Sequence, residues 1–173
     1  MTQRRRKSAK QRRCLLLLGG NMGDRKRRLE EALAGLSLLP GGRVLELSRL
    51  FETAPVGPSL RPYLNAAAVY ATALTPMGLL VECKRLEALA GRRPGKRWGA
   101  RPLDIDILDY AGRRLKTPWL VLPHPRTSGR AFALAPLCDV APAWRPDGRR
   151  TVRDLLAGLK PGPAIVRIVP DGR

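Results

Sequence analysis

Two aspartates, Asp104 and Asp106, are the residues of this sequence whose type and spacing most clearly suggest chemistry. Leu103, Ile105 and Ile107 alternate with them, and this period of two predicts a strand with one apolar face. Both carboxylates then leave the other face close together, where like charges repel. The pair is stable when a cation lies between them, which could be a Lys, an Arg or a divalent metal such as Mg²⁺.

Cations concentrate just before the two aspartates. The segment from Lys84 to Arg101 holds seven Lys and Arg residues and a single acid, Glu87. Guanidinium groups bind two phosphate oxygens at once, and phosphoryl transfer depends mainly on positioning and charge neutralisation. Glycines at positions 91, 95 and 99 favour a loop that closes over a triphosphate. The sequence has no GxxxxGKS/T motif, which excludes a P-loop enzyme.

His124 is the only histidine of the chain. It stands in the segment PHPRTSGRAF together with Arg126 and Arg130, and these neighbours favour a contact with phosphate or nucleotide. A lone histidine is more often a structural residue, so both interpretations stay open at this point.

The hydrophobic pattern predicts the elements that must position these residues. Strands are indicated by CLLLLGGN, RVLELSRLF, YLNAAAVYATAL and LDIDILDY, with a further strand at AIVRIV. Two longer helices are indicated, one after Asp24 and one over MGLLVECKRLEALA, and shorter ones at APLCDVAP and TVRDLLAGL. Between LDIDILDY and APLCDVAP the sequence indicates mostly loop.

The order β-α-β-β-α-β predicts the fold class. We expect an α+β protein with a ferredoxin-like core, in which both longer helices pack on one face of a mainly antiparallel sheet, and with C-terminal additions. Asp24 is a suitable N-cap for the first helix. Thr75 followed by Pro76 starts the second helix, and Gly91 ends it.

The charge of the chain is strongly positive. The net charge is +19, from 33 Lys and Arg residues against 14 Asp and Glu residues, and such an excess favours nucleotides, phosphorylated metabolites or nucleic acid as partners. Residues 1–13 carry seven cations and no acid, which predicts a disordered basic arm. The arm either keeps the chain soluble or binds nucleic acid non-specifically. We expect residues 14–173 to form one domain.

Cysteine usage and hydropathy indicate the compartment. Cys14, Cys83 and Cys138 stand among apolar residues without metal-binding spacing, which predicts buried, reduced thiols. No apolar run approaches the length of a membrane span, and the run CLLLL is too short for a signal peptide. We therefore expect a cytoplasmic protein that makes no contact with a membrane.

The segment RWGARPLDIDIL resembles the signature of the 6-hydroxymethyl-7,8-dihydropterin pyrophosphokinase family. Arg97, Arg101, Asp104 and Asp106 occupy constrained positions of that signature. Three further segments, LGGNMGDR, SRLFETAPVGPSLRPYLNAAA and LPHPRTSGRAFALAPLCDVAP, resemble other motifs of the family, and together they cover roughly residues 15 to 145 in the expected order. The resemblance implies a monomeric enzyme that transfers the β,γ-pyrophosphoryl unit of ATP to a reduced pterin, leaves AMP and supplies folate biosynthesis.

The resemblance also implies roles for residues around ATP. Asp104 and Asp106 would hold two Mg²⁺ ions that bridge ATP and the pterin hydroxyl. Arg92 and Arg101 would engage the triphosphate, and these four residues would be catalytic. Trp98 would help to close the loop over the site. The implied ATP site consists of Lys84, Glu87, Arg92, Trp98, Arg101, Val121, His124 and Arg130.

A pterin site is implied in the same way. Asn65 would read the polar edge of the ring, and Tyr63 and Phe132 would sandwich its faces. Main-chain and apolar contacts would come from Thr53, Ala54 and Val56. Read from the residues alone, either aromatic could instead belong to the core, and Asn65 could be a strand-end residue that satisfies the backbone.

Gly20 and Asn21 of the N-terminal motif LGGNMGDR are interpreted separately. Gly20 stands where serine is common in the family, and we expect no consequence from the difference. Asn21 is either a turn residue before the first helix or part of the pterin side of the site.

Two other classes of function remain open. The net charge of +19 and the basic arm suggest an RNA- or ribosome-binding module on the same scaffold, although paired acids on the open face would repel phosphate unless metal is bound. A nucleotidyl transferase would also use strand-borne aspartates with two metal ions. The residues of the implied pterin site argue against that second alternative.

Overall fold

The computed structural model describes residues 11–54, 61–92 and 101–159 with their side chains, and the backbone of residues 165–169. Val56 and Trp98, which belong to the predicted pterin and ATP sites, lie outside the described residues. Residues 1–10 of the predicted arm lie outside them as well.

Eight strands and four α-helices make up the described fold. The strands are β1 (Arg12–Gly20), β2 (Arg43–Leu47), β3 (Leu50–Thr53), β4 (Tyr63–Thr72), β5 (Asp104–Tyr110), β6 (Leu115–Lys116), β7 (Val121–Leu122) and β8 (Ile165–Val169). The helices are α1 (Arg25–Ser37), α2 (Pro76–Leu89), α3 (Ala131–Val140) and α4 (Val152–Ala157), with a short 3-10 turn at Thr127–Gly129.

Strand β1 lies between β4 and the edge strand β5 of the main sheet. The order across the sheet is β5-β1-β4-β3-β8, and β2 also pairs with β4. Every strand pair described is antiparallel. This topology confirms the α+β, ferredoxin-like core with C-terminal additions.

Each face of the sheet is covered by one pair of helices. Alternate residues of β1, beginning at Cys14, pack with α1 and α2 in the larger core, as the sequence predicts for the two longer helices. Leu15 and Leu17 point to the other face, where they pack with α3 and α4. The C-terminal additions therefore cover the face that the ferredoxin-like core would leave open, and they build one wall of the site described below.

The helix boundaries follow the predicted capping residues. The Asp24 carboxylate accepts a hydrogen bond from the Arg27 backbone N–H, and the Thr75 hydroxyl accepts one from the Gly78 N–H. Gly91 has a φ of +90°, a conformation that glycine adopts without strain. Both longer helices are therefore fixed at their ends by local sequence.

Three segments differ from the expectation. RVLELSRLF forms two strands rather than one, because Ser48 is buried between them and its hydroxyl accepts the Ala67 N–H at 2.9 Å. The predicted loop after β5 contains the β6–β7 hairpin. The short helix or turn predicted at APLCDVAP is a helix, but it begins earlier, at Ala131, and ends at Val140. Arg12 and Arg13 belong to β1 rather than to the basic arm, because they pair with β4.

No helix in the described part of the chain has both the length and the apolar character needed to cross a bilayer.

Candidate active site

Three distant parts of the sequence meet at one end of the sheet. Gly19 of β1 pairs with Asn65 on one side and with Asp104 on the other. This strand register places three of the predicted motifs side by side, namely LGGNMGDR, SRLFETAPVGPSLRPYLNAAA and RWGARPLDIDIL. A cavity of about 170 Å³ opens there; its described lining residues are Leu17, Gly19, Thr53, Ala54, Tyr63, Asn65, Arg101, Asp104, Asp106, Arg126, Arg130 and Phe132.

The two aspartates share the face of β5 that the sequence predicts. Asp106 pairs with Leu17 and Asp104 with Gly19, and both carboxylates line the cavity. Ile105 and Ile107 point the other way into the core shared with α1 and α2. Like charges on one strand face repel, so the arrangement needs cations nearby.

Arginines supply those cations at Asp104. The Arg92 guanidinium donates to Asp104 Oδ1, and the Arg101 guanidinium donates to Oδ2 at 2.6 Å. Lys84 Nζ lies 4.0 Å from Oδ1. Burial would raise the pKa of Asp104, but the charges of Arg92, Arg101 and Lys84 outweigh it and hold that pKa below its ordinary value. Asp104 is therefore an ionised carboxylate with a guanidinium on each oxygen.

Glu87 joins helix α2 to the strand that carries the aspartates. Its side chain is only 2% exposed, and Oε1 accepts the backbone N–H of Ile105 at 2.8 Å and Lys84 Nζ at 2.6 Å. The other oxygen, Oε2, accepts from Arg92. Burial raises the pKa of Glu87, and Lys84 opposes that shift. Glu87 thus fixes the backbone between the two aspartates and holds Arg92 beside Asp104.

Asn21 fixes the backbone of Arg101, a role that the sequence did not reveal. The Arg101 backbone N–H donates to Asn21 Oδ1 at 2.7 Å, and the Asn21 backbone N–H donates to the Arg101 carbonyl at 2.9 Å. Asn21 is 1% exposed, so both bonds are protected from water. The two residues are 80 positions apart, and no local pattern could connect them.

The two glycines before Asn21 allow the chains to approach closely. A Cβ atom on Gly19 would lie 2.5 Å from Asn65 Oδ1, which is too short for a real contact. A Cβ atom on Gly20 would collide with the carbonyl oxygen of Pro102. Glycine at position 20 therefore suits this backbone, since any larger residue would force Pro102 or β1 to shift.

Arg126 and Arg130 extend the cation cluster along the other wall. Both line the cavity, and the Arg130 guanidinium lies 5.4 Å from the centre of the Phe132 ring. His124 is bound to β5 because its backbone N–H donates to the Leu108 carbonyl at 2.9 Å. Burial lowers the pKa of His124; nearby Asp106 opposes this shift, while Arg130 and Arg126 add to it.

The predicted pterin residues gather on the side of the cavity next to β3 and β4. The Asn65 amide donates to the Thr53 hydroxyl at 2.9 Å, and Asn65 is buried. Tyr63 and Phe132 line the same cavity from β4 and α3. Asn65 therefore has both predicted features. It lies near the end of a strand with its side chain bound to Thr53, and it also forms part of the cavity wall.

The structure divides the predicted site residues into two groups. Nine of them line the cavity: Thr53, Ala54, Tyr63, Asn65, Arg101, Asp104, Asp106, Arg130 and Phe132. Five others are described but are not among the wall residues: Lys84, Glu87, Arg92, Val121 and His124. Lys84, Glu87 and Arg92 contact Asp104 or the residues that pair with it. Val121, by contrast, is 36% exposed in the β6–β7 hairpin.

The donor set fits Mg²⁺ better than a transition metal. Within the described residues no group of three or more His, Cys, Asp and Glu side chains is arranged to hold a metal ion. Mg²⁺ needs only one or two protein carboxylates, because water and substrate phosphates complete its shell. Asp104 and Asp106 are a carboxylate pair of this kind, and in the structure both oxygens of Asp104 are occupied by Arg92 and Arg101.

Fold and site together define a ferredoxin-like protein whose cleft presents carboxylates and arginines, the groups that bind polyphosphates and their metal ions. The family model for 7,8-dihydro-6-hydroxymethylpterin-pyrophosphokinase matches residues 15–142. The chain belongs to this family.

Similar proteins agree with the family match. The chain is 43% identical over 150 residues to the 2-amino-4-hydroxy-6-hydroxymethyldihydropteridine pyrophosphokinase of Methylorubrum extorquens, covering 86% of this chain and 94% of that protein. It is 38% identical over 147 residues to the protein of the same name from Pseudomonas aeruginosa, covering 84% and 90%.

A solved structure has the same fold. A crystal structure of HPPK-DHPS from Plasmodium falciparum superposes with a TM-score of 0.68 at 17% identity. The match covers 88% of this chain and 46% of that one, so this chain spans less than half the length of the solved protein.

Proposed function

We propose that this protein transfers the β,γ-pyrophosphoryl group of ATP to the hydroxymethyl group of 6-hydroxymethyl-7,8-dihydropterin, a step of folate biosynthesis. The single observation that carries the proposal is the strand register that joins Asn65, Gly19 and Asp104 at one cavity. The Asn65 amide, which could bind the polar edge of a pterin, and the arginine beside Asp104, which could bind phosphate, therefore share one cleft. Family membership supplies the identity of the two substrates.

Asp104 and Asp106 are proposed to hold two Mg²⁺ ions. Bound Mg²⁺ would neutralise phosphate charge and align the pterin hydroxyl with the β-phosphorus of ATP. The chain's own part is to present two carboxylates on one rigid strand face, and Glu87 holds the strand backbone between them at Ile105. The low pKa of Asp104 keeps that carboxylate ionised for this role.

Arg92 and Arg101 are proposed to move from Asp104 to the triphosphate. Each now neutralises one oxygen of Asp104. A metal ion at Asp104 would take over that neutralisation, and the guanidinium groups would become available to phosphate oxygens. Asn21 keeps the Arg101 backbone in place during the exchange, so only the side chain has to move.

Other contacts with ATP are assigned by position in the family. Lys84, Glu87, His124 and Arg130 surround the aspartates in the structure, which supports their assignment. Trp98 and Val121 are proposed on resemblance alone. Arg126, which sequence reasoning left out of the site, joins this group because it lines the cavity beside Arg130.

The pterin ring is proposed to lie between Tyr63 and Phe132. Aromatic side chains stack on flat heterocycles, and both rings line the cavity. The Asn65 amide uses one hydrogen for Thr53 and retains a second donor together with its acceptor oxygen. Thr53, Ala54 and Val56 are proposed to complete the pocket.

The reaction then needs little covalent chemistry from the protein. The hydroxymethyl oxygen of the pterin bonds to the β-phosphorus of ATP, and the bond from that phosphorus to the oxygen shared with the α-phosphate breaks. AMP leaves, and the pterin diphosphate carries both transferred phosphates. The cations that line the cleft stabilise the charge that shifts onto the phosphate oxygens.

We also propose that the chain acts in the cytoplasm as a monomer, with residues 14–173 as one pyrophosphokinase domain. Its cysteines support a reducing compartment, since Cys14 and Cys83 are free and buried. Burial raises the pKa of each of these thiols to about 12, so they are inert.

Isotope tracing tests the proposed reaction. Purified protein is incubated with Mg²⁺, the pterin and ATP labelled either at the α-phosphate or at the γ-phosphate. We expect the α label in AMP and the γ label in the pterin product. Label from the γ position in a pterin monophosphate, with formation of ADP, would identify an ordinary kinase and reject the proposal.

A further inference from the structure

Helix α1 begins with four consecutive cations, Arg25, Lys26, Arg27 and Arg28, and its first turn contains no acid. Positive charge is unfavourable at this end of a helix, because the helix dipole is positive there as well. Lys26 and Arg27 each pair with a glutamate of the same helix one turn further on. Arg25 and Arg28 are three positions apart and share a helix face, and both donate hydrogen bonds to other parts of the fold.

Arg28 binds the C-terminal end of helix α2. Its guanidinium donates to the Ala90 carbonyl at 2.5 Å, although the two residues are 62 positions apart. The last carbonyls of a helix have no partner within the helix, and the helix dipole is negative at that end. The bond from Arg28 satisfies one of these carbonyls and places a cation where the dipole favours it. Arg28 therefore joins the start of α1 to the end of α2.

Gly23 leaves room for this guanidinium. A Cβ atom at position 23 would lie 3.0 Å from Nη2 of Arg28 and 3.2 Å from its Nε, so the guanidinium rests against the backbone there. The φ of Gly23 is +62°, a conformation that glycine adopts without strain. A larger residue at position 23 would crowd the group that binds Ala90.

The carbonyl that Arg28 binds lies two residues before Arg92. The Arg92 backbone N–H donates to the Glu87 carbonyl at 3.0 Å. The Arg92 guanidinium donates to the Glu87 side chain and to Asp104. The turn that leads from α2 to Arg92 is therefore fixed at its start by the bond from Arg28 to Ala90, and at its end by Glu87.

Arg25 makes corresponding contacts on the pterin side of the cleft. It donates to the Pro62 carbonyl at 2.9 Å and to the Glu52 carboxylate at 2.6 Å. The residues that follow these two partners, Tyr63 and Thr53, line the cavity. One face of α1 is therefore bound to both sides of the cleft.

We propose that Arg28 is a positioning residue for Arg92 in the transfer reaction, and this inference rests on the proposed function. Its bond to Ala90 fixes the end of α2, so that the Arg92 side chain moves between Asp104 and the triphosphate from a fixed backbone. Arg28 is not among the described residues that line the cavity, so it acts through the residues that it holds. Without this bond the turn opens more often, and Arg92 starts from a wider range of positions.

Kinetics of two Arg28 variants test the proposal. Arg28→Met removes the hydrogen-bond donor but keeps an unbranched side chain, whereas Arg28→Lys keeps a charge and a donor. Arg27→Met is the matched control, because it removes an exposed cation from the adjacent position. AMP release is measured against the concentration of each substrate. Arg28→Met is also made in an Arg92→Met background, which completes a double-mutant cycle.

We expect Arg28→Met to lower kcat/KM for ATP about tenfold, because a phosphate-binding group is then less well placed. KM for the pterin should stay within about twofold of wild type, since the pterin side keeps its own anchor at Arg25. Arg28→Lys should recover part of the loss, and Arg27→Met should behave as wild type. In the Arg92→Met background, Arg28→Met should change kcat/KM by less than about twofold, because its effect passes through Arg92.

Two measurements without turnover complete the test. The affinity for Mg²⁺ with an ATP analogue that carries a methylene bridge between the α- and β-phosphorus is measured by calorimetry, and it should fall about 3- to 10-fold in Arg28→Met. Hydrogen exchange of the Arg92 backbone N–H should be about tenfold faster in the same variant, whereas the amides of β1 should keep their wild-type rates. Faster exchange in both places would indicate a general loss of stability and count against the proposal.

Three kinetic outcomes would overturn the proposal. A wild-type kcat/KM for ATP in Arg28→Met would show that the bond to Ala90 does not position Arg92. Losses that multiply in the double variant would show that Arg28 acts independently of Arg92. An equal loss in Arg27→Met would reduce the effect to net charge. Absence of AMP from the wild-type protein would instead reject the proposed function, and weaker analogue binding in Arg28→Met alone would then still support the role of Arg28.

Discussion

The two ends of the central sheet use their cations in different ways. At the cleft, Arg92 and Arg101 each hold one oxygen of Asp104, and buried Glu87 and partly exposed Lys84 complete the network. At the opposite end of the sheet, which we call the distal surface, Arg12, Arg43 and Arg113 form no ion pair with a carboxylate within the described residues. Both ends are positive, yet only the first has a fixed internal geometry.

This difference shows that the role of a cation depends on whether it is paired with a carboxylate. A cation that is paired with a buried carboxylate is held at a defined place and can be released when a stronger cation takes the carboxylate. An exposed and unpaired cation acts through its long-range field, and salt weakens it. Substitutions at the cleft should therefore affect catalysis strongly, and substitutions at the distal surface should affect binding in a salt-dependent way.

The largest effect is expected from Asp106→Asn. The change removes one of two proposed metal ligands and should lower kcat at least 100-fold, measured as AMP release, because the metal is the main source of charge neutralisation. The melting temperature should change little. Asp109→Asn is the matched control on the same strand, because an amide oxygen can still accept the Gly112 N–H. Near-normal activity of the Asp106 variant would remove the basis for the metal site.

Asn21→Ala should have the next largest effect. Loss of the buried acceptor for the Arg101 N–H allows that arginine to shift, and we expect kcat to fall between about 10- and 100-fold. Chemical denaturation should also show a loss of about 1–3 kcal/mol, from the unsatisfied backbone group. Asn21→Asp keeps an acceptor oxygen and should recover part of the activity. A loss of stability with unchanged kcat would show that Asn21 has only a structural role.

Arg25→Ala should act on the pterin side alone. Arg25 donates to Glu52 at 2.6 Å and to the Pro62 carbonyl at 2.9 Å, so it joins the two ends of the segment between β3 and β4. Its loss should raise KM for the pterin about 5- to 10-fold, equivalent to about 1 kcal/mol, because the two bonds act on the pterin only through the position of this segment, and it should leave kcat unchanged.

Arg27→Ala removes an exposed arginine of the same helix, which pairs with Glu31 at 2.8 Å, and it serves as the control for Arg25→Ala. An equal change in KM for both variants would show that Arg25 acts through general charge and not through the two ends of the segment.

Removal of residues 2–10 should have a smaller effect, confined to RNA. The deletion stops before Arg12, because Arg12 and Arg13 belong to β1. Anisotropy should show about 3- to 10-fold weaker RNA binding at low salt and no difference at high salt, since exposed charges act through a screened field. AMP production should be unchanged. Lost catalysis would show that the arm supports the cleft.

The smallest effect concerns the pair Arg49–Asp139, which joins the start of β3 to the end of α3. Hydrogen bonds from the Arg49 guanidinium hold the pKa of Asp139 below its ordinary value. A lowered carboxylate pKa stabilises the fold above the unfolded pKa, and this contribution disappears as pH falls through the folded value. Asp139→Asn should therefore lower Tm by a few degrees at pH 7, and this difference should shrink progressively as pH falls below about 4. A difference that stays constant as pH falls would exclude the ion pair as its cause.

Local patterns allowed much of this structure to be predicted. The alternation of Leu103, Ile105 and Ile107 with the aspartates sets the face of β5, and capping residues set the helix ends. Contacts between distant parts of the chain could not be predicted from the sequence. The bonds between Asn21 and Arg101, and the contact of Gly20 with Pro102, depend on strand register, which sequence spacing does not encode. Resemblance to the family supplied the substrates. The sequence predicted a cation beside the aspartates, and the structure identified Arg92 and Arg101 as the arginines that pair with Asp104.

The central claim is that Asp104 exchanges its arginines for metal ions when the substrates bind. A crystal structure with Mg²⁺, a non-hydrolysable ATP analogue and the pterin tests it most directly. The account predicts oxygens of Asp104 and Asp106 at about 2.0–2.1 Å from Mg²⁺, with Arg92 and Arg101 on the phosphates. A complex in which both arginines remain on Asp104, with no metal ion on either carboxylate, would contradict it.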